Sequence, residues 1–186
     1  MPFAYQIHKQ DAAYFLTPTI VQWADALMRK EHKNIICDSL NYCVEHKGLE
    51  IFAYVIMSSH IHLACRAKYG GLSEIIRDFK KYTSSRLITA YQSYGESRID
   101  RLLDVFQIGD KRQTKKSNHQ VWQYNNHAIE LYSGKFTLSK INYIHNNPVE
   151  AGLVSRPEHY EYSSARDYAG QPGLVKVSLL NLHNLQ

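Results

Sequence analysis

The stretch IFAYVIMSSHIHLACRA, residues 51–67, decides how this sequence folds. It contains two apolar runs on either side of the polar pair Ser58 and Ser59. Short apolar runs rich in β-branched residues are typical of buried strands, so the stretch predicts one long strand or a pair of strands. Its unusual feature is a pair of histidines inside an otherwise apolar second run.

The side chains of a strand alternate between its two faces, which places His60 and His62 together on one face. Their Cα atoms are then roughly 7 Å apart, so both imidazoles can reach one cation. The apolar side chains Ile61, Leu63 and Cys65 point the other way, into the core. A metal site needs a third ligand, which this stretch does not supply, so ordinary surface or hydrogen-bonding histidines remain an alternative at this point.

Hydrophobic periodicity predicts further elements on both sides of this stretch. Pro18 cannot donate to a strand ladder, so a strand near it must lie at an edge or be distorted. Pro148 should stop the last helix, because the residue before a proline is biased away from the helical conformation. The predicted elements, in chain order, are a strand entering a loop (12–24), a helix (32–48), the strand or strand pair (49–67), a helix (71–95), a strand (121–132) and a helix (135–148).

Few strands and helices of moderate length favour an α+β sandwich, with one antiparallel sheet and helices packed mainly on one face. Between residues 96 and 120 the periodicity is lost and the charge rises, which predicts an inserted loop with one helical turn around residues 102–106. We therefore expect a single domain over residues 1–186, with a charged insertion at about 96–120 and a C-terminal extension from about residue 157.

The composition favours a globular, cytoplasmic protein. Its 44% apolar residues can fill one core. The longest apolar runs fall far short of the roughly 20 residues of a membrane helix, and the N-terminus lacks the layout of a signal peptide. We expect no membrane partner. The 3 cysteines lack a CxxC spacing, which favours buried reduced thiols over a disulfide or a zinc site.

The net charge of +5 is concentrated in one region. Residues 66–116 hold twelve Lys and Arg against six Asp and Glu, with a peak in KRQTKK at 111–116. Such residues can contact phosphates, or they can belong to solvated loops and helix faces. The DNA-binding candidates are Arg77, Lys80, Lys81, Lys111, Arg112, Lys115 and Lys116. Aromatic side chains that could stack unpaired bases are Tyr82, Tyr91, Tyr94, Trp122 and Tyr124, although Trp122 is more typical of a core residue.

The last predicted helix offers candidates for the remaining chemistry. Leu138, Ile141 and Ile144 recur at helical spacing and form its core stripe. At about 100° per residue Tyr143 points away from that stripe, and Asn147 lies one turn further along on the same side. This geometry argues against simple core packing of Tyr143.

Four motifs in order resemble the single-tyrosine transposases of the HUH class, and most closely the REP-associated tyrosine transposases. YVIMSSHIHL resembles the strand whose two histidines hold a divalent metal. YIHNNPVEAGLV resembles the helix that carries the nucleophilic tyrosine. VWQYNNH and EHYEYSSARDY resemble the tryptophan-containing strand and the C-terminal segment of the same family. The resemblance spans roughly residues 12–168.

The resemblance implies a ferredoxin-like fold and an enzyme that cleaves and rejoins single-stranded DNA at palindromic or hairpin sequences through a phosphotyrosine intermediate. It assigns Tyr143 as the nucleophile, and His60, His62 and Asn147 as ligands of Mg²⁺ or Mn²⁺. It also implies hairpin DNA as a partner and allows a homodimer. Ser59 departs from the asparagine that usually precedes the first histidine.

Three questions stay open from the sequence. A tyrosine in water ionises only near pH 10, so Tyr143 needs help to lose its proton, from the metal or from a base such as His145, which is otherwise a solvated helix histidine. A catalytically inactive or domesticated DNA-binding module is an alternative function. A zinc-dependent hydrolase is a second alternative, which would require a third ligand such as His127.

Overall fold

The computed structural model describes residues 6–93, 99–109 and 119–181. The predicted order of strands and helices is largely present. The elements are β1 (Tyr14–Leu16), a 3-10 helix (Val21–Trp23), α1 (Lys30–His46), β2 (Leu49–Ile56), β3 (Ile61–Ala67), α2 (Leu72–Ser93), α3 (Ile99–Gly109), β4 (Ile129–Glu130), α4 (Gly134–Glu150), a second 3-10 helix (Pro157–His159) and α5 (Ala165–Tyr168).

The four strands form one antiparallel sheet in the order β2, β3, β1, β4. β3 lies between β1 and β2 and runs antiparallel to both, which is the strand order of a ferredoxin-like fold. The predicted α+β class and the ferredoxin-like sandwich are therefore confirmed.

β2 and β3 form a hairpin, so the opening stretch is a strand pair. The two strands pair over nearly their whole lengths, with one extra residue in β2 at Phe52 that shifts the register. The turn is short, and the Met57 N–H donates to the His60 carbonyl at 2.9 Å. This hairpin fixes His60 directly before β3.

α1 and α2 pack against each other and cover one face of the sheet. Cys37 of α1 lies beside Tyr54 of β2, and the pKa of Tyr54 is raised first by burial and then by this thiol. α1 ends next to Gly48, whose φ of 71° is the left-handed conformation that glycine adopts readily, so β2 can begin at once. The predicted apolar stripe of α2 is buried: Leu72, Ile75, Ile76, Phe79, Leu87 and Ala90.

α4 lies against the other face of the sheet. Its Tyr143 ring contacts the rings of His62 on β3 and Phe15 on β1. His62 points opposite to Leu63, the partner of Tyr54. α1 and α2 thus share one face, as predicted, and α4 packs on the other.

Pro148 does not stop α4, contrary to the prediction. The helix continues to Glu150 with Pro148 in its last turn. A proline there removes one N–H, and the following residues still close the helix, because the Gly152 N–H donates to the Val149 carbonyl at 2.9 Å. The core stripe also differs, since Leu138 is only half-buried while Ile141 and Ile144 are fully buried.

Two other segments differ from their predictions. The expected single helical turn is α3, a helix of 11 residues whose Leu102 and Phe106 side chains are buried. The expected strand over 121–132 is mostly irregular: Trp122 makes one bridge with Ile20, and only β4 is a strand. Among the described residues, no helix is both long and apolar enough to cross a membrane.

Candidate active site

The rings of His60, His62 and Tyr143 converge on the sheet face that α4 covers. The centroids of the two imidazoles are 4.7 Å apart, and the His62 and Tyr143 centroids are 5.1 Å apart. The histidines come from the β2–β3 hairpin and the tyrosine from α4, far away in the sequence. The structure therefore brings the two predicted metal ligands and the predicted nucleophile together, within one chain.

The surroundings of His62 leave one of its ring nitrogens available to bind a metal ion. The residue is 5% exposed, and its ring stacks on Phe15 at 5.2 Å. Its Nδ1 lies 3.1 Å from Thr17 Oγ1, whereas its Nε2 is buried and has no hydrogen-bond partner among the described residues. When Nδ1–H donates to the Thr17 hydroxyl, the Nε2 lone pair faces the site, which is the arrangement that orients metal-binding histidines.

Both imidazoles are held in the neutral form. Burial lowers the pKa of His60. Burial, and then the nearby His60 and Lys140, lower the pKa of His62 to about 3. A neutral imidazole has a free lone pair, so neither ring has to lose a proton before it can bind a metal at neutral pH.

The loop before His60 keeps a polar contact to the ring despite its unusual residue. Ser59 Oγ lies 3.2 Å from His60 Nδ1. The Ser59 carbonyl accepts a hydrogen bond from the Ile20 N–H at 2.9 Å, which ties the hairpin turn to the segment after β1. Ser59 thus supplies a hydrogen-bonding group beside His60, where the resemblance predicts the side-chain amide of an asparagine.

Tyr143 projects from the side of α4 opposite its buried residues. The side chain is 42% exposed, while Ile141 and Ile144 are fully buried. Asn147 follows one turn later and is half-buried. Among the described residues its side chain makes no hydrogen bond to either histidine, so its role as a third ligand stays a prediction.

Lys140 lies beside Tyr143 and was not singled out from the sequence. Its Nζ is 5.0 Å from the centroid of the Phe15 ring and 5.7 Å from that of Tyr143. These are cation–π distances, and they hold a positive charge next to the converging rings. The signal in the sequence is the i, i+3 spacing of Lys140 and Tyr143, which places both on one side of a helix.

His145 is neither the solvated helix histidine nor a base positioned to deprotonate Tyr143. It is buried, and its Nε2 lies 2.9 Å from Ser164 Oγ. Burial lowers its pKa to about 4. Two positions along a helix correspond to about 200° of rotation, so His145 and Tyr143 point in nearly opposite directions. His145 connects α4 to the C-terminal segment.

Trp23 is a second residue that the sequence did not indicate. Its ring lies against the His60 ring, with the centroids 5.3 Å apart, and 56% of the residue is exposed. Gln22 and Trp23 have φ values of 54° and 56°, a left-handed conformation that costs non-glycine residues of order 1–3 kcal/mol each. Local strain of this kind often marks a functional position.

The predicted DNA-binding residues differ in their surroundings. Arg77 is exposed, and its Nη2 lies 3.3 Å from Asp78 Oδ1. Lys81 is exposed on α2, across the sheet from Tyr143. Lys80 is half-buried and donates to the Gln123 carbonyl at 2.6 Å, while burial lowers its pKa to about 8. The Lys80 ammonium group thus makes a hydrogen bond within the fold, whereas Arg77 and Lys81 are exposed. Four candidates lie outside the described residues: Lys111, Arg112, Lys115 and Lys116.

The predicted stacking residues divide in the same way. Trp122 is 4% exposed and donates through Nε1 to Thr83 Oγ1 at 3.0 Å, so it is a core residue. Tyr91 is also buried, and its hydroxyl donates to the Ala26 carbonyl. Tyr82 and Tyr124 are exposed. Tyr94 lies outside the described residues.

The zinc alternative finds no support in the described part of the chain. No group of three or more His, Cys, Asp or Glu side chains there could hold a metal ion, so His127 does not complete a site with the two histidines. The three cysteines, Cys37, Cys43 and Cys65, are buried free thiols, as predicted.

Two comparisons with known proteins concern the family and the fold of this chain. The sequence model of a family described as "Transposase IS200 like" matches residues 20–103, which include His60 and His62 and end before Tyr143. A solved structure of a REP-associated tyrosine transposase bound to a REP hairpin is similar, with 17% identity, 94% of this chain and 90% of that chain covered, and a TM-score of 0.62. No curated protein matches the sequence. The match over residues 20–103 confirms the resemblance to IS200-like transposases, and the similar structure confirms the fold.

Proposed function

We propose that this protein is a DNA transposase that cleaves and rejoins single-stranded DNA beside hairpin or palindromic sequences. The observation that carries the proposal is the convergence of His60, His62 and Tyr143 at centroid distances of 4.7 and 5.1 Å. The match of residues 20–103 to IS200-like transposases supports the reaction class. The hairpin bound to the similar solved protein supports the choice of substrate.

In this mechanism the Tyr143 hydroxyl oxygen attacks the phosphorus of one phosphodiester. The bond from phosphorus to O3′ breaks, which leaves a phosphotyrosine on the 5′ end of one fragment and a free 3′-OH on the other. The phenol loses its proton, and the leaving O3′ gains one. Attack by the 3′-OH of another strand reverses the step and rejoins DNA without a nucleotide cofactor.

Lys140 serves the same step through its charge. Its ammonium group lies near the Tyr143 ring, where the phosphate must approach. A fixed positive charge at this point favours both the anionic substrate and the negative charge that develops on the phosphate oxygens during attack. His145 takes no part, because it faces Ser164 on the opposite side of α4.

His60 and His62, with the amide oxygen of Asn147, would hold Mg²⁺ or Mn²⁺. The residues fit such an ion: both imidazoles are neutral, and the buried His62 Nε2 has no hydrogen-bond partner among the described residues. When bound, the cation supplies Lewis-acid polarisation of the phosphate. The three rings meet within one chain, so this site does not require a second copy, and a homodimer stays a prediction.

The test is covalent capture of DNA. Hairpin oligonucleotides with single-stranded flanks, taken from around the protein's own gene, are incubated with the protein and Mn²⁺ and separated on a denaturing gel. We expect a protein–DNA adduct that Tyr143→Phe abolishes, because only the attacking hydroxyl is lost. Tyr132→Phe is the matched control, since Tyr132 is exposed just before α4 and its ring stacks on Phe136 rather than on either histidine.

Two outcomes would contradict the proposal. An adduct that persists in Tyr143→Phe assigns the nucleophile to another side chain. Tight hairpin binding without an adduct, in the wild type and at every Mn²⁺ concentration, leaves a DNA-binding module without catalysis. Circular dichroism of each variant confirms that the fold is intact.

A further inference from the structure

Trp23 is an exposed aromatic ring at the edge of the candidate active site. The indole and the His60 imidazole are inclined at 67°, with centroids 5.3 Å apart. More than half of the residue, 56%, is in contact with solvent. Single exposed aromatic side chains are common on protein surfaces, so what distinguishes Trp23 is its contact with His60 and its left-handed backbone conformation.

The segment around Trp23 is fixed to the hairpin that carries His60. At one end the Ile20 N–H donates to the Ser59 carbonyl at 2.9 Å, and at the other the Leu27 N–H donates to the Ser58 carbonyl at 2.8 Å. The Ser58 hydroxyl also donates to Asp25. Trp23 therefore keeps its position relative to His60, and the ring is presented before any ligand arrives.

We propose that Trp23 is a stacking platform for an unpaired DNA base next to the phosphate that Tyr143 attacks. Proteins that hold single strands commonly combine phosphate contacts with aromatic rings on which bases stack. Here the phosphate lies at the converging rings, and the adjoining nucleotide passes His60, where it meets the indole. That the occupant is single-stranded DNA rests on the proposed function.

The chain contains 2 tryptophans, which gives a direct spectroscopic test. Trp122 is 4% exposed, so Trp122→Phe leaves Trp23 as the reporter. With EDTA present to prevent cleavage, oligothymidylate should quench Trp23 emission in step with its binding, which is followed independently by the anisotropy of a fluorescein label. An abasic strand of equal length should bind without quenching. If Trp122→Phe does not fold, subtracting the emission of Trp23→Phe from that of the wild type isolates the same signal.

Affinity gives a second measurement. Trp23→Ala should weaken oligothymidylate binding about tenfold, and Trp23→Phe should retain most of the affinity, because a smaller aromatic ring still stacks. Tyr69→Ala removes another exposed ring, away from the site, and should leave the affinity unchanged.

The proposal is overturned if binding saturates while Trp23 emission stays constant, or if Trp23→Ala binds as tightly as Trp23→Phe. Its failure is distinguishable from that of the proposed function. Quenching without a Tyr143-dependent adduct in Mn²⁺ supports the platform and contradicts catalysis. An adduct without quenching does the reverse, and the absence of any binding contradicts both.

Discussion

The two faces of the sheet are built for different purposes. The face under α1 and α2 is closed by apolar stripes, and the described residues at its centre, such as Leu40 and Ile76, are almost fully buried. The face under α4 instead carries His62 and Phe15, which contact a half-exposed Tyr143, and Lys140 of α4 lies over the Phe15 ring. The first face follows the rules of a hydrophobic core, and the second keeps polar groups at the edge of solvent.

This contrast separates the residues that stabilise the fold from those that lower its stability. Burying the apolar stripe contributes about 25 cal/mol for each Å² removed from water. The buried His62 Nε2 has no hydrogen-bond partner in the described part of the chain, and leaving such an atom unpaired is unfavourable by about 1–3 kcal/mol. The apolar burial on the closed face offsets the unfavourable free energy of the unpaired His62 nitrogen on the other face. We therefore expect substitutions on the two faces to affect different measurements.

The largest expected effect is the loss in the free energy of unfolding when a fully buried side chain is truncated, and the first variant lies on the closed face. Leu40 is 0% exposed, so Leu40→Ala should lower the free energy of unfolding by about 2–5 kcal/mol through lost burial and a residual cavity. The measurement is urea denaturation. The yield of DNA adduct per folded molecule should stay unchanged, because α1 does not contact the site.

Ile144→Ala is the matched variant on the other face. Ile144 is equally buried but adjoins Tyr143 on α4. We expect Ile144→Ala to cause a similar loss of stability and also a lower adduct yield per folded molecule, since the packing of α4 on the sheet is disturbed. If Leu40→Ala and Ile144→Ala affect adduct formation equally, the division between the faces is wrong.

A smaller effect is expected from Thr17, which lies behind His62. Thr17→Val keeps the shape but removes the hydroxyl 3.1 Å from His62 Nδ1. Groups that orient metal-binding histidines typically contribute 10–100-fold to metal affinity, so Mn²⁺ binding should weaken by about that factor. Titration of Mn²⁺ by electron paramagnetic resonance measures it without reference to activity.

Thr19→Val is the control for this prediction. Thr19 is also buried and bridges to His60 through its backbone, which a change to Val leaves in place, and its hydroxyl donates to the Thr17 carbonyl. Its Mn²⁺ affinity should match that of the wild type. Equal affinities in all three proteins would show that Thr17 does not orient His62.

Much of the fold could be predicted because it depends on periodicity. The stripe of α2, the hairpin around His60 and the end of α1 at Gly48 all follow from local patterns of apolar residues and from one glycine. The failures have physical reasons. Pro148 removes one helical hydrogen bond, but the turn after it still closes, because Ala151 N–H donates to the Asn147 carbonyl and Gly152 N–H to the Val149 carbonyl. The segment after Val121 is held by isolated bridges and core contacts of Trp122, which no strand pattern reveals.

The candidate site shows the same division. The alternation of His60 and His62, and the helical position of Tyr143, could be deduced because each depends on one element. Thr17, Lys140 and Trp23 could not, because their importance arises only when β1, α4 and the strained loop meet the hairpin. His145 was misjudged for the same reason, since Ser164 approaches it from the C-terminal segment.

The smallest expected effect is on the salt dependence of DNA affinity when basic residues are neutralised. This effect identifies the part of the molecule that contacts the DNA backbone. The affinity for single strands should fall between about 50 and 200 mM salt, with a logarithmic slope of roughly −0.7 for each phosphate contacted. Neutralising Lys111, Arg112, Lys115 and Lys116 to Gln should make the slope shallower by up to about 0.7 for each charge removed.

The double variant Arg77→Gln and Lys81→Gln should change the slope less, because both side chains lie on α2, across the sheet from Tyr143, and Arg77 is paired with Asp78. Anisotropy titrations of labelled oligothymidylate at several salt concentrations give the slopes. If the double variant flattens the slope and the quadruple variant does not, the side of the protein formed by α1 and α2 contacts the DNA backbone. The assignment of DNA chemistry to one face and stability to the other is then wrong.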